Sequence, residues 1–270
     1  MENNKNKIRD AVRENYSKIV KDNSYFTGCG CGPEVDTGCC PPSAAESFDK
    51  ISSKLGYSFE ELKNVPEGAN LGLGCGNPQA VAAIKDGETV IDLGSGAGFD
   101  VFLAANQVGD NGNVIGIDMT PSMISKAREN AIKGKYNNVE FRLGEIENIP
   151  VQDNFADVII SNCVVNLSPE KQKVFNDSFR VLKSGGRIAI SDVIATAELP
   201  EDIKNDIALY AGCVAGASTL DEVEKMLHKA GFTNIEVKPK NESVEFIREW
   251  APGTSIHKYI ISASIEAVKP

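Results

Sequence analysis

The sequence predicts an α/β fold, with a mostly parallel sheet carrying helices on both faces. Three observations predict it. From residue 89 onward, short apolar runs alternate with amphipathic stretches at helical spacing. A glycine turn, Gly94-Ser95-Gly96-Ala97-Gly98, separates the first apolar run, Val90-Ile91-Asp92-Leu93, from a helical pattern on Val101, Phe102, Ala105 and Val108. A second apolar run, Val114-Ile115-Gly116-Ile117, then ends on an acid, Asp118. Strand, glycine turn, helix, strand and acid form a βαβ unit suited to an adenosine-containing cofactor.

The remaining elements follow in order. Residues 5–20 read as an amphipathic helix on Ile8, Ala11, Val12 and Ile19. Thr27 to Pro42 holds Cys29, Cys31, Cys39 and Cys40 among glycines and prolines, which excludes a helix or a central strand. Ser43–Glu46 and Ser58–Glu61 both have the capping-box spacing, and Tyr57 and Leu62 are placed to staple the second helix. Pro66 to Pro78 is a further glycine-rich loop and carries Cys75. Thr120-Pro121 starts a helix that runs to about Lys133. Val139, Phe141 and Leu143 alternate as a third strand, and Val158-Ile159-Ile160 is a buried fourth. Ser168-Pro169 should cap a helix with Phe175, Phe179 and Leu182 facing inward. A turn at Lys183–Gly186 leads into a fifth strand, Arg187 to Val193. Helices fill roughly 200–230, followed by a strand at Ile235–Lys238, a short helix near Val244–Trp250 and a strand at Tyr259–Ala267. The expectation is a Rossmann-like seven-stranded sheet over residues 81–270, preceded by a helical, Cys- and Gly-rich extension over residues 1–80.

The glycine turn narrows the cofactor. Its G-x-G-x-G spacing, with Asp92 two residues before Gly94, resembles the first motif of class I S-adenosylmethionine (SAM) methyltransferases. By that resemblance Asp92, Gly94, Ser95, Gly96 and Gly98 shape the methionine end of the site, and Asp118 holds both ribose hydroxyls. It also puts Met119 on the adenine, Glu145 at the adenine amino group and the Ile146 backbone at a ring nitrogen. Gly94–Gly98, Asp118, Glu145 and Asn162–Cys163 all fall at carboxyl ends of predicted strands, where open α/β sheets bind their ligands.

Composition excludes several classes. The net charge of −10 opposes binding to a phosphate backbone, which points to a small-molecule substrate and not to nucleic acid. No apolar run approaches the ~20 residues of a membrane span. The polar start, Met1-Glu2-Asn3-Asn4-Lys5, lacks a signal region, so the expected compartment is the cytoplasm. Seven cysteines there argue for thiols that bind or react. A zinc site on Cys29, Cys31, Cys39 and Cys40 stays open as an alternative, although Cys29-x-Cys31 and the adjacent Cys39-Cys40 depart from structural zinc spacing.

Three longer motifs carry a more specific resemblance. Val65 to Pro78, Ser161-Asn162-Cys163-Val164-Val165-Asn166-Leu167-Ser168-Pro169 and Tyr210-Ala211-Gly212-Cys213 together resemble arsenite methyltransferases, from about residue 40 to the end. The resemblance implies methyl transfer from SAM to trivalent arsenic in up to three rounds, giving methylated arsenicals and serving arsenic detoxification. Cys163 and Cys213 would hold arsenic, with Cys75 as a third ligand. Cys39 or Cys40 would pair with Cys75 as a reducing dithiol, recharged by thioredoxin or glutathione, in a monomer. Soft trivalent arsenic prefers thiolates, and its lone pair needs no general base, which suits a chain with only two histidines. Two readings from other classes stand beside this one: a SAM-dependent methyltransferase of another small metabolite, of quinone type, and a non-enzymatic thiol-metal binding protein.

Overall fold

The computed structural model describes residues 2–22, 44–204, 206–250 and 256–270. The Thr27–Pro42 stretch with Cys29, Cys31, Cys39 and Cys40, and the cap at Ser43, lie outside the described residues. Helix α1 (Glu2–Asp22) comes first, then α2 (Ala44–Lys54), α3 (Phe59–Lys63) and the short α4 (Gln79–Ala82). The alternating part is β1 (Thr89–Leu93), α5 (Phe99–Val108), β2 (Asn113–Asp118), α6 (Pro121–Gly134), β3 (Val139–Leu143), β4 (Ala156–Asn162), α7 (Lys171–Val181) and β5 (Leu182–Ala195). Short helices α8 (Glu201–Lys204) and α9 (Ile207–Ala211) precede α10 (Leu220–Ala230), β6 (Thr233–Pro239), α11 (Ser243–Trp250) and β7 (Ile260–Val268).

The strands form one seven-stranded sheet in the order β3-β2-β1-β4-β5-β7-β6. The first five are parallel, and β7 runs antiparallel between β5 and β6. Because β1 is hydrogen-bonded to both β2 and β4, strand order reverses beside it, and the carboxyl ends of β1 and β4 open the crevice where a ligand fits. Both faces are buried. Ile91, Leu93, Ile159 and Ile188 face α7 and α10, while Val90, Val114, Val158 and Ile160 pack with Val101, Phe102 and Ala105 of α5. The near-continuous apolar runs read from the sequence are what a sheet covered on both sides requires.

Several local expectations hold in detail. Ser58 and Glu61 form the full capping box, and Tyr57 and Leu62 share one apolar cluster. Other details differ. Thr120 occupies the N-cap of α6, but its side chain makes no cap bond; the preceding Asp118 carboxylate accepts the Thr120 N–H instead, at 2.8 Å. Ser168 does not cap α7, whose N-cap is Glu170. The Ser168 hydroxyl accepts the Glu170 N–H at 3.0 Å and donates to Glu147 at 2.8 Å. Leu182 is not the last turn of that helix but the start of β5, paired with Ala156 of β4. Its apolar side chain suits the buried face of either element, so periodicity alone misplaced it.

Candidate active site

A cavity of about 420 Å³ opens beyond the carboxyl ends of β1, β2 and β4. Its floor is the glycine turn. Gly94 (φ +74°) and Gly96 (φ +52°) adopt left-handed backbone that favours glycine, and a Cβ on Gly94 would lie 2.3 Å from Val164. The turn is held from both directions. Gly94 and Ser95 N–H groups bond the Ile117 carbonyl at 2.7 and 2.9 Å, and Gly96 N–H donates to Asp118 at 3.0 Å. Asp118 thereby ends β2 with its carboxylate fixed against the cavity. Burial pushes that carboxyl above its ordinary range, while the Thr120 and Gly96 donors pull it back. Asp92 is buried, and burial together with Asp100 and Asp118 holds its carboxyl well above the usual range. The Ser95 hydroxyl is buried without a hydrogen-bond partner. A left-handed glycine cradle, an acid at the second strand end and an orphaned hydroxyl fit the amino-acid and ribose ends of SAM.

Three thiols gather at one end of this cavity. Cys163 follows β4 directly, and its N–H bonds the Ser191 carbonyl of β5 at 2.7 Å. Cys213 follows α9 and donates its S–H to the Cys163 carbonyl at 2.8 Å. Both line the cavity, and both have positive φ, +58° and +63°. Left-handed backbone is uncommon for a residue with a Cβ, so two facing instances mark a shaped site. Cys75 lies behind them, 2% exposed, with its thiol 3.5 Å from the Ser191 carbonyl. All three thiols are free and buried. Burial pushes Cys75 up to about 11. For Cys213 the contact with Cys163 and burial raise the thiol well above its ordinary range. The Cys213 contact lowers Cys163, but the Cys75 contact and burial outweigh it and leave that thiol well raised too. The cluster is therefore protonated at neutral pH and must lose or hand on protons to bind a soft centre.

The other expected residues are placed less uniformly. Met119, Ile146 and Asn162 line the cavity, with Ile146 buried and Met119 half-buried. Glu145 and Gly98 are outside its lining. The Glu145 side chain meets Arg9 at 3.6 Å and Arg13 at 3.4 Å, both on α1. Gly98 (φ +97°) supports the turn from beneath, where a Cβ would lie 2.7 Å from Phe102.

Four residues were missed. Asp192, 1% exposed on β5, reaches the Cys75 and Cys163 thiols. Asp100, at the start of α5, accepts the Tyr57 hydroxyl at 2.8 Å and lies 3.3 Å from the Asn162 amide. An acid two residues after the apolar run Ile188–Ile190 was a readable signal for the first of these; Asp100 stands in the first turn of α5, where acids are common for helix-dipole reasons alone. Helix α1 also roofs the cavity through Val12, Asn15, Tyr16 and Ile19. Its Arg9 binds Glu147 at 3.0 Å and Glu170 at 2.9 Å, and the half-buried Tyr16 sits beside Cys213. Contacts made between distant segments leave no local pattern in the chain.

The fold and this cavity define a SAM-dependent methyltransferase, and residues 84–231 match the family described as Methyltransferase domain. The chain is 54% identical to an arsenite methyltransferase of Halobacterium salinarum over 97% of its own length and 66% of that protein's. It is 33% identical to the arsenite methyltransferase of Aquipseudomonas alcaligenes, over 84% of this chain and 62% of that protein. A solved structure of an arsenic(III) S-adenosylmethionine methyltransferase from Chlamydomonas reinhardtii superposes with a TM-score of 0.61 at 30% identity, over 85% of this chain and 75% of that one. The chain belongs to the arsenite methyltransferase family. It spans a little under two thirds of the length of these two curated relatives.

Proposed function

We propose that this protein transfers methyl groups from SAM to thiol-bound trivalent arsenic, giving mono- and dimethylated products and, with a third round, trimethylated ones. The observation that carries this reading is the pairing of Cys163 and Cys213 across the cavity, each in left-handed backbone and 2.8 Å apart through a thiol-to-carbonyl bond. Two soft ligands beside the methyl-donor cradle match a soft nucleophile and nothing in ordinary carbon or oxygen methylation.

SAM supplies an activated methyl on a sulfonium. Cys163 and Cys213 hold arsenic with its lone pair toward that methyl, and Cys75 completes a three-sulfur set for arsenite. As each sulfur binds, its thiol proton leaves with an arsenic hydroxyl as water. Orienting donor and acceptor is most of the catalytic task. Val12, Tyr16 and Ile19 of α1, with Leu167 and Val214, keep water from the centre. After transfer the arsenic is formally pentavalent. Two thiols return it to the trivalent state by giving up two electrons and forming a disulfide, which we assign to Cys75 with Cys39 or Cys40. A small thiol or thioredoxin then restores the pair. We place this chemistry in arsenic detoxification by a cytoplasmic monomer; no described helix is long and apolar enough to cross a membrane.

The test is incubation with arsenite, SAM and excess thiol, with arsenic species separated by chromatography. Methylated arsenic and one S-adenosylhomocysteine per methyl are expected. Cys163→Ser and Cys213→Ser should stop methylation of both arsenite and methylarsonous acid, because a harder oxygen replaces a needed sulfur. Cys75→Ser should lose arsenite but keep methylarsonous acid, which has only two exchangeable positions. Near-parent rates for Cys163→Ser on either substrate would sink the assignment.

A further inference from the structure

The methyl-transfer chemistry leaves one buried group without a task. The thiol sulfurs of Cys75 and Cys163 and a carboxylate oxygen of Asp192 all lie within 4.8 Å of one another. Asp192 is aimed there by its surroundings. One of its oxygens accepts the Val193 N–H at 2.8 Å and the Asn166 side-chain amide at 2.9 Å, and the other accepts the Asn166 N–H at 3.3 Å. The Asn166 amide is in turn fixed by the Val193 carbonyl at 2.6 Å. Trivalent arsenic fills three corners with sulfur and the fourth with its lone pair, so it has no use for this oxygen. A carboxylate and two or three thiolates are instead the donor set of a divalent borderline-soft cation.

We propose that Cys75, Cys163 and Asp192 form a binding site for zinc(II), and that zinc seated there excludes the substrate. Zinc bonds sulfur at about 2.3 Å, so two sulfurs on one tetrahedral ion stand about 3.8 Å apart. From spacings of at most 4.8 Å the sulfurs need a contraction of about 1 Å or less and the carboxylate oxygen about 1.3 Å or less, within reach of small side-chain rotations. On binding, Cys75 and Cys163 each release one proton to solvent, Asp192 binds as the carboxylate, and no electron moves. The donors of Asn166 and Val193 are the outer hydrogen bonds that hold a ligating carboxylate in place. Cys213 is the nearby thiol that could fill the fourth corner, its sulfur 2.8 Å from the Cys163 carbonyl. The consequence is selectivity by ligand count: the same pocket offers three sulfurs to arsenic and sulfur with oxygen to zinc, and Asp192 serves only the latter.

Zinc binding is measured without arsenite or SAM, so it stands or falls apart from the proposed methylation; only the exclusion of arsenite rests on that reading. The experiment uses the full chain with Cys29, Cys31, Cys39 and Cys40 changed to serine, so that zinc on those thiols is not counted. Titration with zinc against a chromophoric chelator should give one ion per chain. Asp192→Asn should weaken zinc by roughly tenfold or more, while arsenite affinity changes less than about twofold. Equal zinc affinity in Asp192→Asn overturns the proposal. Should that variant fail to fold, X-ray absorption at the zinc edge on the parent decides: a shell of sulfur with oxygen supports the site, and an all-sulfur shell overturns it. Zinc should then displace bound arsenite one for one; independent binding of both ions overturns the exclusion.

Discussion

The side-chain amide of Asn162 holds the backbone of Cys75 from both sides: its oxygen accepts the Cys75 N–H at 3.0 Å, and its nitrogen donates to the Gly76 carbonyl at 2.8 Å. That amide also donates to the Tyr57 hydroxyl at 3.0 Å, so it belongs to a buried network with Asp100. Cys75 thus reaches Cys163 because the residue just before Cys163 grips it.

Loss of this grip should mimic loss of the third thiol. Asn162→Ala is expected to slow methylation of arsenite by about tenfold or more, since two hydrogen bonds at roughly 1 kcal/mol each and the Cys75 position go together. Methylarsonous acid should be affected much less. Gly74→Ala should act in the same direction, because a Cβ there would lie 2.9 Å from the Asn162 amide atoms. Product analysis with both substrates checks this. Equal losses on the two would show that Asn162 acts on the cofactor and not through Cys75.

Asp118 is tied to two backbone N–H groups, from Gly96 and Thr120, leaving its free lone pairs for a ribose. Asp118→Ala removes charge-assisted hydrogen bonds worth roughly 1.5–3 kcal/mol each, so SAM affinity should drop at least tenfold. Calorimetry measures it directly. Unchanged affinity would mean that the ribose lies elsewhere.

The roof of the cavity is fastened chiefly through Arg9. Arg9 faces Glu145, Glu147 and Glu170 together, and Lys5 adds a second contact to Glu170 at 2.9 Å. Cation contacts, with Lys173 the largest and then Lys5 and Arg9, hold the Glu170 carboxyl down to about 2. Arg9→Ala leaves these acids facing one another beneath α1. Amide hydrogen exchange over residues 5–20 should speed up severalfold more than in the sheet. If α1 exchanges at the parent rate, apolar contacts through Val12 and Ile19 suffice to seat it.

Asp192 gives stability a definite pH dependence. Burial pushes its carboxyl up to about 6, against the pull of the Val193 and Asn166 donors. An unfolded Asp titrates near ~3.9, so between about pH 4 and pH 6 the folded chain binds the extra proton, and this group's contribution to stability falls as pH rises. The loss is of order 3 kcal/mol across that window. Asp192→Asn lacks it, so the difference in unfolding free energy between variant and parent should move toward the variant from pH 4 to pH 7. Denaturant titrations at both ends of the range test the sign. A difference that stays flat would place the carboxyl near its ordinary range.

The sheet and the cofactor cradle were legible because their determinants are local. Apolar runs, glycine spacing and a strand-ending acid lie within thirty residues and survive without tertiary context. Cys163 could be placed by its position after β4, whereas its meeting with Cys213 was readable only by resemblance, fifty residues separating them. The roles of Arg9, Tyr16 and Asp192 come from packing between segments far apart in the chain. The same holds for Glu145, expected at the adenine amino group and met in the structure by two guanidinium groups of α1.

The Ser262 hydroxyl on β7 donates to the Cys75 carbonyl at 2.6 Å, across 187 positions of sequence. Strand β7 is also the antiparallel partner of β5, against which Cys163 is hydrogen-bonded. A chain emerging from the ribosome therefore exposes Cys75, Cys163 and Cys213 as unconnected thiols until β7 has been made. Domains fold as units, and long-range pairing is slow. Metal-seeking and oxidising species thus meet separate, accessible sulfurs during synthesis and a closed cluster only afterwards, so the nascent chain is far more vulnerable to them than the finished one.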